Sequence, residues 1–291
     1  MNLIQLKYFT AVCEVGTASE AAEMLHISQP SLSNAIKEME QEFGVKLFAR
    51  QHRGMVMTPE GERLYKMAKE LLSRAQQTEN IMKDMGKQRK ILRLGVPPMI
   101  GSVVLPKIYR EFMSDNPDIH IEITEGGQQE LLGRLSEGFL DMAFIPQENF
   151  EEKGFAGINI VKTEIVCCVS GENALADKES ITAKELSKTP IVIFKDSFYH
   201  TEEVRRWFGI AGVKPDIILQ TAQLSTIQSL VSNNIAAGFM FRPLVDEKKG
   251  FRAISASPVM DIDISLVWKK DSYFFSPMKK FREYVEKHNL F

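Results

Sequence analysis

Side chains at heptad spacing form a stripe within residues 61–90, between two differently patterned parts of the chain. Neither Gly nor Pro occurs between residues 62 and 85, so a single long helix is predicted there. Steps of four and three residues connect the members of the stripe, which are Leu64, Ala68, Leu71, Ala75, Thr78, Met82 and Met85. Because the other faces of this helix are polar, the stripe has to be buried against another element. We predict a linker helix that joins two copies of the chain. Packing on the chain's own body is the alternative, since Ala75 and Thr78 make the stripe thin.

Residues 1–60 have the pattern of three short helices followed by a β hairpin. Gly16 ends the first helix, a hydroxyl of Thr17 or Ser19 can cap the second, and Pro30 suits the first turn of the third. The third helix is predicted to bury Leu32, Ala35, Ile36 and Met39. Its other side chains, mostly amides and hydroxyls near its start, must then face solvent or a partner.

Two helices joined by a tight turn, at about residues 18–37, suit a helix-turn-helix, and the hairpin would be its wing. Amides and hydroxyls can donate and accept at base edges, and a helix amino terminus favours phosphate oxygens. We predict double-stranded DNA as a partner, contacted by Thr17, Ser19, Ser28, Gln29, Pro30, Ser31, Ser33, Asn34, Lys37, Arg50, His52 and Arg53. On local evidence alone, a helical hairpin whose serines only cap helices is the alternative.

The charge balance limits how DNA could be bound. The chain has a net charge of −2, with 13 Lys and Arg against 11 Asp and Glu in the first 90 residues and 23 against 27 in the rest. A broad basic field is therefore excluded. Binding would have to rely on a few placed groups and on dimerisation.

Residues 91–291 alternate apolar strands with amphipathic helices. Strands are predicted at 91–96, 119–124, 140–145, 164–169, 191–194, 216–220, 236–240 and 263–268. Such alternation indicates mainly parallel sheets covered by helices, built either as one doubly wound domain or as two lobes with a cleft. Ligands bind such folds at the carboxyl ends of the strands.

The remaining composition narrows the class of protein. No apolar run reaches the ~20 residues of a membrane span, and no secretion signal is recognisable at the amino terminus, so a cytoplasmic protein without a membrane partner is predicted. Three cysteines, Cys13, Cys167 and Cys168, fit buried free thiols, with redox sensing as an alternative. No catalytic or metal-binding motif occurs, so we predict no enzyme activity, no catalytic residue, no metal and no cofactor.

Several spaced motifs together resemble the LysR-type transcriptional regulators over the full length of the chain. The most specific are ISQPSLSxxIxxxE at 27–40 and FGxxLFxRxxRGxxxTPxG at 43–61, and AAxxL at 21–25 precedes them. A weaker similarity follows at VSNNIAAGFMFRP, residues 231–243. The chain departs from the family at Asn34, where members often carry Arg, which exchanges a guanine-binding group for one suited to adenine.

The resemblance implies a multidomain protein that acts as an activator or a repressor of transcription. Its fold would be a winged helix-turn-helix (α with a small β wing), a long linker helix and a two-lobed α/β effector domain of periplasmic-binding-protein type. The domains would be 1–60, 61–90 and 91–291, with lobe I at 91–161 plus 267–291 and lobe II at 162–266. Family members usually form tetramers, so dimers or tetramers are implied, with RNA polymerase as a further candidate partner.

A small-molecule effector is expected between the lobes. The predicted lining residues are Pro98, Met99, Ile100, Ser102, Gly127, Gln128, Ile145, Pro146, Ser197, Phe198, Thr226 and Phe241. Lys195 and Arg242 are the only basic candidates near that cleft. The mechanism expected is that effector binding changes lobe closure, repacks the tetramer and alters DNA bending. A ligand-binding protein without DNA regulation is the remaining alternative, because the last 200 residues alone resemble a solute carrier.

Overall fold

A computed structural model describes residues 1–51, 54–86, 90–146, 150, 154–245 and 250–291, without the side chains of Arg50 and Gln51. The chain divides into two compact units, Met1–Met85 and Gly86–Phe291. The first unit thus contains both the helix-turn-helix region and the linker helix. Within the described residues, no helix is both long enough and apolar enough to cross a membrane.

The first unit begins with three short helices that have side-chain caps. It consists of α1 (Leu3–Val15), α2 (Ala18–Met24), α3 (Gln29–Phe43), the antiparallel hairpin β1 (Phe48–Gln51) and β2 (Gly54–Met57), and α4 (Pro59–Met85). Asn2 caps α1, Thr17 rather than Ser19 caps α2, and Ser28 caps α3. Each cap accepts a hydrogen bond from a backbone N–H that the first turn leaves unpaired. Gly44 ends α3 with a φ of 67°, a left-handed conformation that favours glycine.

One hydrophobic core holds α1, α2, α3 and the beginning of α4 together. The predicted inner stripe of α3 is confirmed, because all four of its members are buried. The ring of Phe9, which is fully buried, lies 5.4 Å from the ring of Phe48, so the hairpin is attached to the same core. This packing leaves the amino-terminal polar face of α3 on the outside of the unit.

The beginning of α4 belongs to that core, which corrects part of the predicted dimerisation stripe. Ala68 is fully buried and Leu64 packs against the core of its own chain. Ala68 is therefore not available to a partner helix, and the alternative of packing on the chain's own body holds for both side chains, although Leu64 stays partly exposed. Sequence spacing missed this because a heptad pattern does not tell which partner covers it. Ala75 is half-buried, and the exposed members are Leu71, Thr78, Met82 and Met85.

The second unit alternates strands and helices as predicted. It consists of β3 (Ile91–Val96), α5 (Pro98–Lys107), α6 (Met113–Asp115), β4 (His120–Glu125), α7 (Gln128–Ser136), β5 (Met142–Ile145), β6 (Phe155–Ser170), β7 (Ser180–Thr182), α8 (Ala183–Leu186), β8 (Pro190–Phe194), α9 (Tyr199–Ile210), β9 (Asp216–Thr221), α10 (Leu224–Ser232), β10 (Ala237–Phe241), β11 (Phe251–Lys269) and α11 (Ser276–Lys287). A π-helical turn, Ile108–Phe112, connects α5 to α6. It follows Pro106, which has no N–H for the regular α-helical pattern.

These strands form one mixed sheet of nine strands, in the order β4-β3-β5-β11-β6-β10-β8-β9, with β7 beside β11. Neighbours at both ends are parallel, as predicted, but β6 and β11 pair antiparallel along nearly their whole length. The sequence predicted only 164–169 and 263–268 of these two long strands. Half-exposed residues dilute the apolar pattern at the start of β6, and Pro258 interrupts the pairing of β11 between Ser255 and Met260.

The two long strands connect two halves of the sheet. We call β3, β4 and β5 the first sheet half and β8, β9 and β10 the second sheet half. Residues 265–267 of β11 pair with β5, whereas residues 165–168 of β6 pair with β10. The predicted lobe boundaries fall inside β6 and β11, and the division at those residues stays a prediction.

Candidate functional site

The start of α3 presents a polar surface. The side chains of Gln29, Ser31, Asn34 and Lys37 are exposed there, as is the ring of Pro30. Leu32, Ala35 and Ile36 alternate with them and are buried, so the helix cannot rotate this surface inward without exposing its core. The predicted surface is therefore accessible at these positions.

Hydrogen bonds within α3 already order several of these side chains. The Ser28 hydroxyl accepts from the backbone N–H of Ser31 at 3.3 Å and lies 2.7 Å from the Ser31 hydroxyl. Nε2 of Gln29 donates to the Ser33 hydroxyl at 2.8 Å. Ser28 and Thr17 thus act as helix caps, while the exposed side chain of Gln29 is ordered by its hydrogen bond to Ser33.

A concave groove lies between α3, the start of α2 and the hairpin. Four predicted residues line it, Gln29, Ser33, Asn34 and Lys37, while Ser19 is exposed nearby without lining it. The sequence reasoning missed Ala18, Ile36, Glu40, Lys46, Phe48 and Met55, which complete the lining. Among these, Lys46 is a cation with 76% of its side chain exposed, and its place directly before the predicted wing was the available signal.

The side chains predicted to make the wing contacts lie outside the described part of the chain. His52 and Arg53 lie outside the described residues, and the side chain of Arg50 is also outside them. The backbone of Arg50 pairs with Met55 in the hairpin. Contacts of these three side chains with DNA remain a prediction from the sequence.

Glu40 joins α3 to the hairpin. One of its carboxylate oxygens accepts from Nζ of Lys46 at 2.7 Å, and the other accepts from the backbone N–H of Leu47 at 2.8 Å and of Phe48 at 3.4 Å. Burial alone raises the pKa of Glu40, but these hydrogen bonds and the charge of Lys46 outweigh it and hold the pKa below its usual value of 4.5. The ionised carboxylate therefore fixes where the wing leaves the helix.

We expect Glu40→Gln to reduce the free energy of opening of α3 by about 1–2 kcal/mol near neutral pH, because the three hydrogen bonds that the carboxylate accepts lose their charge assistance. The lowered pKa stabilises the folded state above pH 4.5, and the benefit is lost as the pH falls through the folded-state value. Amide hydrogen exchange of α3 in the full chain measures this difference. Glu38→Gln, an exposed change on the same helix, is the control. A Glu40→Gln effect that does not diminish at all as the pH falls below 4.5 would contradict the assignment.

A cavity lies in the second unit, at the carboxyl ends of parallel strands from both sheet halves. Residues that follow the strands of the first sheet half line one side, namely Pro97, Pro98, Met99, Gln128 and Pro146. Residues in or after the strands of the second sheet half line the other side, namely Phe194, Phe198, Tyr199, His200 and Phe241. Its unfilled space is about 280 Å³ including the mouth. Crevices at strand ends are where such sheets bind ligands.

The structure brings together about half of the residues predicted to line the cleft. Pro98, Met99, Gln128, Pro146, Phe198 and Phe241 line the cavity. Ile100 and Ile145 are instead buried in the core, Ser102 and Ser197 are exposed, Thr226 bonds to Gln223, and Gly127 is buried beside the cavity, so these six do not line it. They were misplaced because alternate residues at a strand end or helix start face away from the cleft.

The missed residues are Pro97, Phe194, Tyr199 and His200. The last three flank the start of α9, beside the predicted Phe198, and that neighbourhood was the signal. The two basic candidates do not line the cavity: Lys195 is exposed, and Arg242 pairs with Glu164 and donates to the hydroxyl of Ser255 at 2.7 Å.

The two sheet halves touch at Gly127, directly before α7. A Cβ atom built on Gly127 would lie 2.3 Å from the carbonyl oxygen of Ser197, which precedes α9. Real Cβ atoms do not approach backbone oxygen this closely, so only glycine permits the contact. The segments that begin α7 and α9 are therefore in direct backbone contact beside the cavity.

The cysteines do not have the surroundings of reactive thiols. Cys167 and Cys168 are completely buried on β6, and burial raises the pKa of Cys167 to about 12. Burial also raises the pKa of Cys13 to about 12. Thiolate chemistry needs a lowered pKa and access to solvent, so the redox alternative gains no support. Within the described residues, no group of three or more His, Cys, Asp or Glu side chains could hold a metal ion.

Comparisons with known proteins agree with this arrangement. Residues 3–62 match the family model described as bacterial regulatory helix-turn-helix protein, lysR family. Residues 86–289 match the model of the LysR substrate binding domain. The two models correspond to the helix-turn-helix region and to the unit that contains the cavity.

Individual relatives extend over nearly the whole chain. The uncharacterized HTH-type transcriptional regulator YwbI of Bacillus subtilis is 27% identical over 292 residues, which cover 99% of this chain and 97% of that protein. A probable nitrogen assimilation transcriptional activator of Synechococcus elongatus is 26% identical, covering 97% and 94%. The crystal structure of full-length CbnR with its target DNA has a TM-score of 0.67 at 21% identity and covers 99% of both chains. The chain belongs to the LysR family of transcriptional regulators.

Proposed function

We propose that the chain regulates transcription by binding double-stranded DNA through the exposed start of α3, as a dimer or tetramer joined by α4. The observation that carries this proposal is the surface formed by Gln29, Asn34 and Lys37 over a buried apolar stripe. Its amides can read base edges, and Lys37 can meet a phosphate. The solved complex of CbnR with its target DNA supports the same use of the fold.

Joining of two chains is proposed to involve the exposed part of α4. Met67, Leu71, Met82 and Met85 are 44–68% exposed and lie within one stripe of the helix. Large apolar side chains in a row on a polar helix favour a partner helix. The stripe retains Leu71, Met82 and Met85 from the sequence prediction and replaces its first two positions by Met67.

Control by a small molecule is proposed to act through the cavity between the two sheet halves. Closure brings Gly127 against Ser197, and a ligand that binds only one arrangement shifts the balance between open and closed forms. We propose that this shift repacks the oligomer and changes the spacing of its DNA-binding units. The protein would act in the cytoplasm, with no catalytic activity and no cofactor other than its effector.

The recognition surface can be tested on a duplex selected for binding. We expect Gln29→Ala to cost about 1–3 kcal/mol on the selected duplex and little on random DNA, because the amide reads a base. Lys37→Ala should weaken both by similar amounts and reduce the salt dependence, because it meets a phosphate. Fluorescence anisotropy measures all of these affinities. If Gln29→Ala loses the same binding free energy on the selected duplex as on random DNA, Gln29 does not read a base.

A further inference from the structure

Aromatic rings surround one histidine in the cavity. The ring centroid of His200 lies 4.7 Å from that of Phe194 at an interplanar angle of 87°, and 6.1 Å from those of Phe198 and Phe241. Prolines 97, 98 and 146 and Met99 complete the apolar wall. The walls therefore suit the faces and edges of a flat apolar molecule.

His200 also supplies a polar atom that the protein does not use. The residue is 4% exposed, and its Nε2 atom is buried without a hydrogen-bond partner among the described residues. A buried polar group without a partner costs free energy, so a ligand that bonds to it gains that amount on binding. Because His200 lines the cavity, its Nε2 atom is a candidate anchoring point for a ligand.

The cavity offers no charge to balance an anion. Of the described residues that line it, none carries a charged side chain. Burial lowers the pKa of His200 to about 3, so the ring is neutral near pH 7. Burying a carboxylate against such walls is unfavourable unless the backbone N–H groups at the starts of α5, α7 and α9 pair with it, and tight binding of benzoate would reveal that pairing. The enclosed part of the cavity measures only about 10 Å³, room for about one water molecule, so a ring enters only as the two sheet halves move apart.

We propose that this cavity binds an uncharged single-ring compound that presents a hydroxyl group to Nε2 of His200. A hydroxyl both donates and accepts, so it can bond to Nε2 in either tautomer of the imidazole. The rings of Phe194, Phe198 and Phe241 hold the body of the compound. The inference rests on the proposed effector control, and it names the chemical class that the same cavity selects.

Three probes of similar size test the proposal on the full chain: phenol, toluene and benzoate. Isothermal titration calorimetry at neutral pH should show that phenol binds at least tenfold more tightly than benzoate, because benzoate must lose the water around its carboxylate to bind. His200→Phe keeps a ring but removes the polar atom, and it should lower phenol affinity relative to toluene by about tenfold. His120→Phe, an exposed change at the start of β4, should alter neither ratio.

A second measurement does not depend on the fold of a variant. In the unaltered chain, saturation with phenol should shift the imidazole ¹⁵N resonances of His200, while saturation with toluene should shift them much less. The proposal is overturned if benzoate binds tightest, if the phenol to toluene ratio survives His200→Phe, or if none of the probes binds at millimolar concentration. Whether the same protein selects a specific duplex does not depend on these results. The proposed regulation by DNA binding therefore holds even if this ligand class is wrong.

Discussion

Replacing Leu71 and Met82 together by glutamate should raise the dissociation constant of the dimer by about 1000-fold or more. In a dimer through α4, four apolar side chains lose their burial; each is about half exposed in its own chain and so contributes about 1 kcal/mol, and a tenfold change corresponds to about 1.4 kcal/mol. The two residues are 44% and 62% exposed within their own chain, so the fold of the unit should remain intact.

Sedimentation equilibrium measures the change, and circular dichroism shows that the helices remain. Lys66→Glu, which places a carboxylate at another exposed position on α4, should leave the oligomer nearly unchanged. Binding to a duplex with two half-sites should weaken in parallel with dissociation, because avidity is lost. A double variant that sediments like the unaltered chain would show that another surface joins the copies.

Gly127→Ala should prevent closure of the ligand cavity. The backbone of Gly127 has a φ of −73° and a ψ of 157°, which alanine adopts without strain. The added methyl group would lie 2.3 Å from the carbonyl oxygen of Ser197. Either the two sheet halves separate there or the packing is strained by about 1–3 kcal/mol. We expect faster amide hydrogen exchange at the starts of α5, α7 and α9.

Gly133→Ala is the matched control for this change. Gly133 lies inside the same helix α7, and a Cβ built there meets nothing within 4 Å. Alanine at a helix interior should therefore stabilise the unit by about 0.5–1 kcal/mol and leave the cavity closed. If the amide hydrogens at the start of α9 exchange at the same rate in Gly127→Ala as in Gly133→Ala, the contact between Gly127 and Ser197 does not hold the cavity shut.

Local signals in the sequence were sufficient for the helix-turn-helix. Caps, glycine stops and the 3.6-residue period are all encoded within a few residues, so the buried stripe of α3 could be predicted together with its polar face. The same reasoning left Thr17 and Ser19 as alternative caps. Only the backbone geometry shows that Thr17 accepts the hydrogen bond from Glu20.

Features that depend on distant partners were harder to predict. The stripe of α4 was read as one interface, but Leu64 and Ala68 pack into the core of their own unit. His200 was missed as a cavity residue because a single histidine at a helix start gives no pattern. Phe194 and Phe198 lie close to it in the sequence, but Phe241 on β10 and the residues of the first sheet half meet it only after the sheet has formed.

Selection from a library of random duplexes with the full chain tests the central claim most directly. If the start of α3 reads base edges in a dimer, the enriched sequences should contain two symmetry-related half-sites separated by about one or two helical turns. Gln29→Ala should enrich a different base at one position in each half-site, because it removes a single amide contact. Enrichment of no sequence above the starting library, with the oligomer intact, would contradict DNA recognition by this surface.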